Sequence, residues 1–405
     1  MFLYFKTQNN FSYEQPVELS MVAGNYSELQ ENLVPLPGKY EVSVLKSTVI
    51  YGANASGKSN ILKAITSGIN LILNSTKEIQ IGDELPFFPN KNNKKNNKQP
   101  TSYTFGFFID GSHFEYYYVH NNTVILEEKL IEFVTQKPTE HFHRIYIPEN
   151  DTYEYSFSRS FTGEKEKIKD ITNNVSLFLS VGAQFKLPVA EKVFTWIKSK
   201  LVSLININSP GGINTNYTLN LIRKNPEIKV LVLDALRKAD FLIKDIQVED
   251  KEEKRFIKAT TFHEGRDENG QKILIPFDLD KEESVGTRRF LAWIGVWLDV
   301  LAKGRILFID ELGNSMHTLL SKHLITMFHN PKTNPNNAQL IFTTHDTNMM
   351  DFKILRRDQI WVIDRDEYGN SSLVAISDFK IKKGKILENS YLQGVYGGIP
   401  HIIND

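Results

Sequence analysis

Apolar residues along this chain follow two periods, and the switches between them mark out its elements. The run Ser47-Thr48-Val49-Ile50-Tyr51 is short, β-branched and apolar, the pattern of a buried strand. Immediately downstream, Ile61, Leu62, Ile65, Ile69 and Ile72 recur at spacings of three and four, which predicts a helix over 60–74. The period then changes to two. Tyr103, Phe105, Phe107 and Ile109 alternate with other residues, Asp110-Gly111 interrupts, and Phe114, Tyr116 and Tyr118 alternate again. That is a β-hairpin with a tight turn, and 126–134 reads as a further strand. The aromatic density suits sheet packing rather than base stacking.

From 140 to 280 the pattern reads as an insertion. Val189, Val193, Trp196, Ile197, Leu201 and Leu204 fall on one helical face, and 228–242 gives a second helix. Residues 246–248, 256–262 and 273–277 read as strands, with Asn269-Gly270 as a turn. Beyond 281 helices and strands alternate, the α/β pattern. The expected fold is α/β: a mixed sheet with helices beside it and an inserted helical or α+β lobe. The expected division is 1–138, an inserted lobe over 139–271, and 272–405. No solenoid repeat and no sustained heptad pattern interrupts this reading.

Composition narrows the class. Lys and Arg number 48 and so do Asp and Glu, so no overall field draws in nucleic acid or a membrane. The absence of cysteine excludes disulfides, thiol catalysis and thiolate metal sites. The most apolar window, 291–298, is broken by Asp299 and is too short to span a bilayer, and the first residues lack a signal-peptide pattern. A cytoplasmic protein is expected. The polar run from Asn90 to Lys98 reads as a solvated loop. The acidic residues Asp250, Glu252, Glu253, Glu264, Asp267 and Glu268 read as charged surface rather than a two-metal site.

The candidate chemistry begins at Gly52-Ala53-Asn54-Ala55-Ser56-Gly57-Lys58-Ser59, a complete phosphate-binding loop between the predicted strand and the helix that Asn60 opens. Backbone N–H groups of such a loop wrap the phosphates of a nucleotide. Lys58 is expected on the β/γ-phosphates and the Ser59 hydroxyl on Mg²⁺, so the expected ligands are ATP and Mg²⁺. Two later apolar strands end in polar residues. The run 305–309 leads into Asp310-Glu311, expected to hold the metal and to act as general base on water, respectively. The run 339–344 leads into His345, placed for the same sheet edge. Glu283-Ser284-Val285-Gly286-Thr287 opens the helix 290–301, with Ser284 as N-cap and Gly286 leaving room for a phosphate.

Taken in order, these motifs resemble those of ABC-type ATPase heads. The resemblance is closer to the bacterial AAA15/AAA21 group, which includes RloA-type and abortive-infection ATPases. Three further features carry it: Glu-Ser-x-Gly-Thr, the set Asp310, Glu311, Ser315 and His317, and the C-terminal Tyr391-Leu392-x-Gly394-x-Tyr396-Gly397-Gly398-Ile399-Pro400. The resemblance implies an ATPase head that pairs head-to-tail, each ATP held between Gly52, Asn54, Ser56, Gly57, Lys58, Ser59 and Asn60 of one copy and Ser284 and Gly286 of another. It implies catalytic roles for Lys58, Glu311 and His345, with Ser59 and Asp310 on the metal. It further implies an anti-phage switch acting on a separate effector, a nuclease or toxin. The alternative is a repair-type ATPase that clamps DNA, so a nucleic-acid partner stays open. Val285 and Leu312 depart from the transporter-like pattern, and Gln80 and Gln99 are the candidates for a lid glutamine.

Overall fold

Six strands form the sheet that carries the phosphate loop. The computed structural model describes residues 1–37, 42–134, 137–204, 215–249, 257–313, 316–380 and 387–400. Ser47–Gly52 lies in the sheet interior between Gln339–Thr343 and Ile360–Arg365, parallel to both. Ile306–Ile309 follows on the far side of Gln339–Thr343, and Leu201–Leu204 continues the parallel order to the edge. Ser371–Ala375 closes the other edge antiparallel. The strand leading to His345 thus separates the phosphate-loop strand from the carboxylate strand.

These strands read as unbroken apolar runs because both faces are covered. Val49, Tyr51, Leu307, Ile309, Leu340 and Phe342 enter one core, while Ile50, Ile306, Phe308 and Ile341 enter the other. The second core is filled by the helix Lys58–Asn74, whose Ile61, Leu62, Ile65, Ile69 and Ile72 are buried. That helix is backed by a seven-stranded antiparallel sheet in the order Thr152–Phe157, Thr139–Ile147, Ile125–Phe133, Ser112–His120, Thr101–Ile109, Phe2–Gln8, Val17–Ser20. The first core is covered by the helices Val285–Lys303 and Thr318–His329. The Gln339 side chain ties the sheets together, accepting from the Phe2 amide at 2.7 Å and donating to the Phe2 carbonyl at 3.0 Å.

The hairpin forms as expected, with Ile109 opposite Ser112 and positive φ at Asp110 (47°) and Gly111 (87°). The inserted lobe over 139–271 does not. Thr139–Ile147 and Thr152–Phe157 extend the large antiparallel sheet, and the helix Pro188–Lys200 packs into its core through Val193 and Ile197. Leu201 and Leu204 do not continue that helix, because 201–204 pairs with the carboxylate strand. Only the later part makes a layer of its own: helices Asn216–Lys224 and Pro226–Lys238 with a sheet of Ile243–Val248, Ala259–Arg266 and Lys272–Asp278. It packs through Leu219, Val232 and Leu236 onto the core shared with Phe290 and Trp297. The strand expected at 256–262 is observed at Ala259–Arg266, and residues 250–256, with Asp250, Glu252 and Glu253, lie outside the described residues.

Two polar networks matter for stability. Glu128, fully buried, accepts from the Phe178 and Leu179 amides at 2.7 and 2.8 Å and from Tyr116 Oη at 2.8 Å, beside the equally buried Arg144. His329 Nε2 bonds Ser47 Oγ at 2.7 Å under the phosphate-loop strand. The run from Asn90 to Lys98 is largely exposed but pinned. Asn90 bonds Asn370, Asn93 and Asn96 donate to Glu14, and Asn9 donates to the Asn96 carbonyl. No helix among the described residues is long and apolar enough to cross a membrane.

Candidate functional site

The phosphate loop joins the C-terminal end of a buried strand to the N-terminus of a helix, where unpaired N–H groups and the helix dipole favour an anion. Its turn requires glycine. Gly57 sits at φ 109°, and a Cβ there would lie 2.2 Å from Ser371 Oγ and 2.7 Å from Ser12 Oγ. A Cβ on Gly52 would lie 2.6 Å from the Ile363 carbonyl. The backbone therefore runs in contact with its neighbours on one side. Ser371 Oγ donates to the Ser56 carbonyl at 2.6 Å, Tyr13 Oη to the Gly57 carbonyl at 2.9 Å, and Asn60 Nδ2 to Ser12 Oγ at 2.9 Å. These contacts brace the loop from two elements distant in sequence, and the pattern of 52–59 did not announce Ser12, Tyr13 or Ser371.

Lys58 is buried, and its ammonium donates to the Gly52 and Ala53 carbonyls at 2.8 Å each. Burial pushes it down to about 8, against the opposing pull of Asp310 and Glu311. Ser56 Oγ is buried without a hydrogen-bond partner, Asn54 is exposed, and Ser59 and Asn60 are half-buried at the loop's open side. A glycine cradle, a desolvated ammonium, an orphaned hydroxyl and a helix N-terminus suit a bound polyphosphate, and Ser59 with Asp310 offers oxygen donors for a hard divalent cation.

The carboxylate pair is held by the neighbouring strand. Thr343 Oγ1 donates to Asp310 Oδ1 at 2.7 Å and accepts from the Glu311 amide at 2.8 Å. The Leu312 amide donates to the Thr343 carbonyl at 2.9 Å, and Thr344 Oγ1 donates to the Leu312 carbonyl at 2.9 Å. Glu311 itself adopts φ 57°, a left-handed conformation that costs a non-glycine residue about 1–3 kcal/mol and redirects its side chain out of the strand. Leu312 is buried in the core beneath. Partial desolvation and then the Lys58 ammonium push the exposed His345 below its usual range, while Glu311 and Asp310 pull it up. The structure therefore brings Lys58, Asp310, Glu311 and His345 into one electrostatic field.

Ser284 and Gly286 stand apart from that cluster. Ser284 caps the helix Val285–Lys303 by accepting from the Thr287 amide at 3.0 Å. A Cβ on Gly286 would meet only Ser284 Oγ, at 3.7 Å, and Val285 is 57% exposed. Their hydrogen bonds stay within the helix terminus, which faces outward. His317 caps the helix Thr318–His329 and is exposed, and Ser315 lies outside the described residues. Gln80 and Gln99 are both exposed on the polar segments after the phosphate-loop helix. Among the described residues no cluster of three or more His, Asp or Glu could hold a metal by itself, and Glu264 is engaged by Lys272 and Lys244.

A family model described as "AAA domain, putative AbiEii toxin, Type IV TA system" matches residues 47–351. The match runs from the phosphate-loop strand past His345. No curated protein matches the chain. A solved structure, the crystal structure of the SmcHead bound to the C-winged helix domain of ScpA, is similar at 12% identity and a TM-score of 0.39, over 92% of this chain and 97% of that one.

Proposed function

This chain belongs to that AAA-domain family, and from that premise we propose that it binds ATP with Mg²⁺ and hydrolyses it at a site shared between two copies. The observation that carries the reading is the common field of Lys58, Asp310, Glu311 and His345 at one sheet edge, beside an intact phosphate loop. Gly52, Asn54, Ser56, Gly57, Lys58, Ser59 and Asn60 bind the triphosphate. Ser59 and Asp310 would hold Mg²⁺, which would offset the negative charge of the phosphates when bound. Glu311, turned out of its strand, takes the proton from the attacking water, and Thr343 orients both carboxylates through the Asp310 side chain and the Glu311 amide. His345 donates toward the transferring group.

The outward-facing terminus at Ser284 and Gly286, where Ser284 caps its own helix, supports a head-to-tail homodimer in which it meets the partner's phosphate loop. We further propose a nucleotide-dependent switch in bacterial defence that acts on a separate effector, a nuclease or toxin; the family's description, which names a "putative AbiEii toxin, Type IV TA system", supports the toxin setting of that reading. The test uses Glu311→Gln, which is expected to retain ATP while turnover falls about 10²–10⁴-fold. The mass of that variant in solution should double with ATP and Mg²⁺. Normal turnover in the variant overturns the base assignment, and full-rate hydrolysis by a monomer overturns the shared site.

A further inference from the structure

The C-terminal segment touches both halves of the hydrolytic site. Tyr391, in the short helix Leu387–Leu392, is 5% exposed, and its hydroxyl donates to the Gly398 carbonyl at 2.8 Å. The Gly52 backbone N–H lies against the Tyr391 hydroxyl, and the Tyr391 ring packs on Tyr51 at 5.9 Å between centroids. Gly398 lies flat on the start of the phosphate loop. A Cβ there would fall 2.9 Å from the Ile363 carbonyl and 3.3 Å from Gly52 Cα, at φ 67°. On the other side, Glu388 Oε1 accepts from Thr347 Oγ1 at 2.6 Å, two residues after His345. Asp346 is held in turn by Thr318, and its carbonyl accepts from Tyr51 Oη at 3.4 Å.

We propose that Tyr391 and Glu388 are positioning residues: the segment 387–400 clamps the first glycine of the phosphate loop to the loop that carries His345, setting Lys58 and His345 in register for hydrolysis. This rests on the hydrolytic reading above. The Tyr391 hydroxyl fixes the Gly52 end and the Glu388 carboxylate fixes the His345 end, and the intervening turn is too short to let the two ends move separately. Gly394 donates to the Tyr391 carbonyl at 2.8 Å, and Val395 to the Ser390 carbonyl at 3.1 Å. Small displacements of reacting groups cost rate far more than they cost binding.

Three variants of the full chain test the clamp: Tyr391→Phe, which removes one hydroxyl and keeps the ring; Glu388→Ala; and Glu388→Gln, which keeps an acceptor for Thr347. Tyr391→Phe and Glu388→Ala are expected to lower kcat about tenfold or more while KM for ATP changes less than about threefold. Glu388→Gln should restore most of the rate. A merely structural role would lower Tm and leave kcat intact at low temperature, and that result overturns the proposal, as does a loss confined to KM. A second measurement does not depend on turnover. Amide hydrogen exchange without nucleotide should rise in Tyr391→Phe at both 52–59 and 344–349. A rise restricted to 391–398 refutes the clamp even if the wild-type chain hydrolyses nothing, the outcome that separately refutes the ATPase reading.

Discussion

Raising the pH should weaken nucleotide binding through Lys58 alone. Its ammonium is held by two carbonyls at 2.8 Å inside the loop, and burial brings it down to about 8 from the ordinary 10.5. A triphosphate beside the ammonium favours the charged form and raises that value again in the complex. The sign follows. Below pH 8 the free protein already carries the charge and binding is independent of pH. Above pH 8 the free protein has lost the proton and must take it back on binding, so the affinity falls. At pH 9 about one molecule in eleven is protonated, which weakens binding about tenfold, and at pH 10 about a hundredfold, until the value in the complex is reached. Calorimetric titration with a non-hydrolysable ATP analogue and Mg²⁺ at pH 7, 8 and 9 measures this. Buffers of different ionisation enthalpy should report uptake rising toward one proton at pH 9. Lys58→Arg, which stays charged, should bind with a flat profile across that range. An unchanged affinity and no proton uptake between pH 7 and 9.5 in the wild-type chain would refute the reasoning.

Other perturbations have equally definite signs. His329 and His120 are buried, which pushes them down to about 3 and about 4, so below the ordinary 6.5 the unfolded chain binds protons that the folded chain refuses. Stability should therefore fall as pH drops from about 6.5, by about 2 kcal/mol per histidine at pH 5, measured by urea unfolding; a flat profile over pH 5–7 counts against it. Glu128→Ala leaves Tyr116 and two amides without their acceptor and strips Arg144 of its counter-charge, though not of the Ser176 and Asn173 carbonyls, and should cost about 3–5 kcal/mol in chemical denaturation, whereas a loss under about 1 kcal/mol would show that water reaches the site. Gly57→Ala should strain the backbone by about 1–3 kcal/mol and abolish ATP binding in a chain that still folds by circular dichroism, and retained binding would mean the loop relaxes past Ser371.

The hydrophobic pattern made the site's main supports legible. The strand before Gly52 and the helix after it were plain in 47–72 because both lie in full cores, where period and burial agree. The hairpin at Asp110-Gly111 was legible because two positive φ values demand those residue types. Leu201 and Leu204 misled because they continue a helical face, yet pairing with Ile306 and Ile309 pulls them into the sheet. No local propensity encodes a partner a hundred residues away. The run from Asn90 to Lys98 misled differently: its composition says solvated loop, while its amides are well suited to pinning it on Glu14 and Asn370. Thr343 was hidden as one threonine in an apolar strand, and its place between Asp310 and Glu311 follows only from strand order. Ser12 and Ser371 were equally silent, since they act on the loop through its carbonyls.

The sheet that carries the site also dictates when the site comes into being. Gly52 is shaped by Ile363 and Ser371 braces Gly57, while Gln339 grips Phe2 across 337 residues. A chain emerging from the ribosome makes the phosphate loop early, with Ser12 and Tyr13 in place but before Ile363 and Ser371 exist to shape it. Loop closure on this scale slows folding and leaves the early hairpins waiting for late strands. Nascent or truncated chains that lack 339–371 should therefore ignore ATP altogether. Nucleotide binding is thereby expected only of chains that already carry the strands 339–343, 360–365 and 371–375.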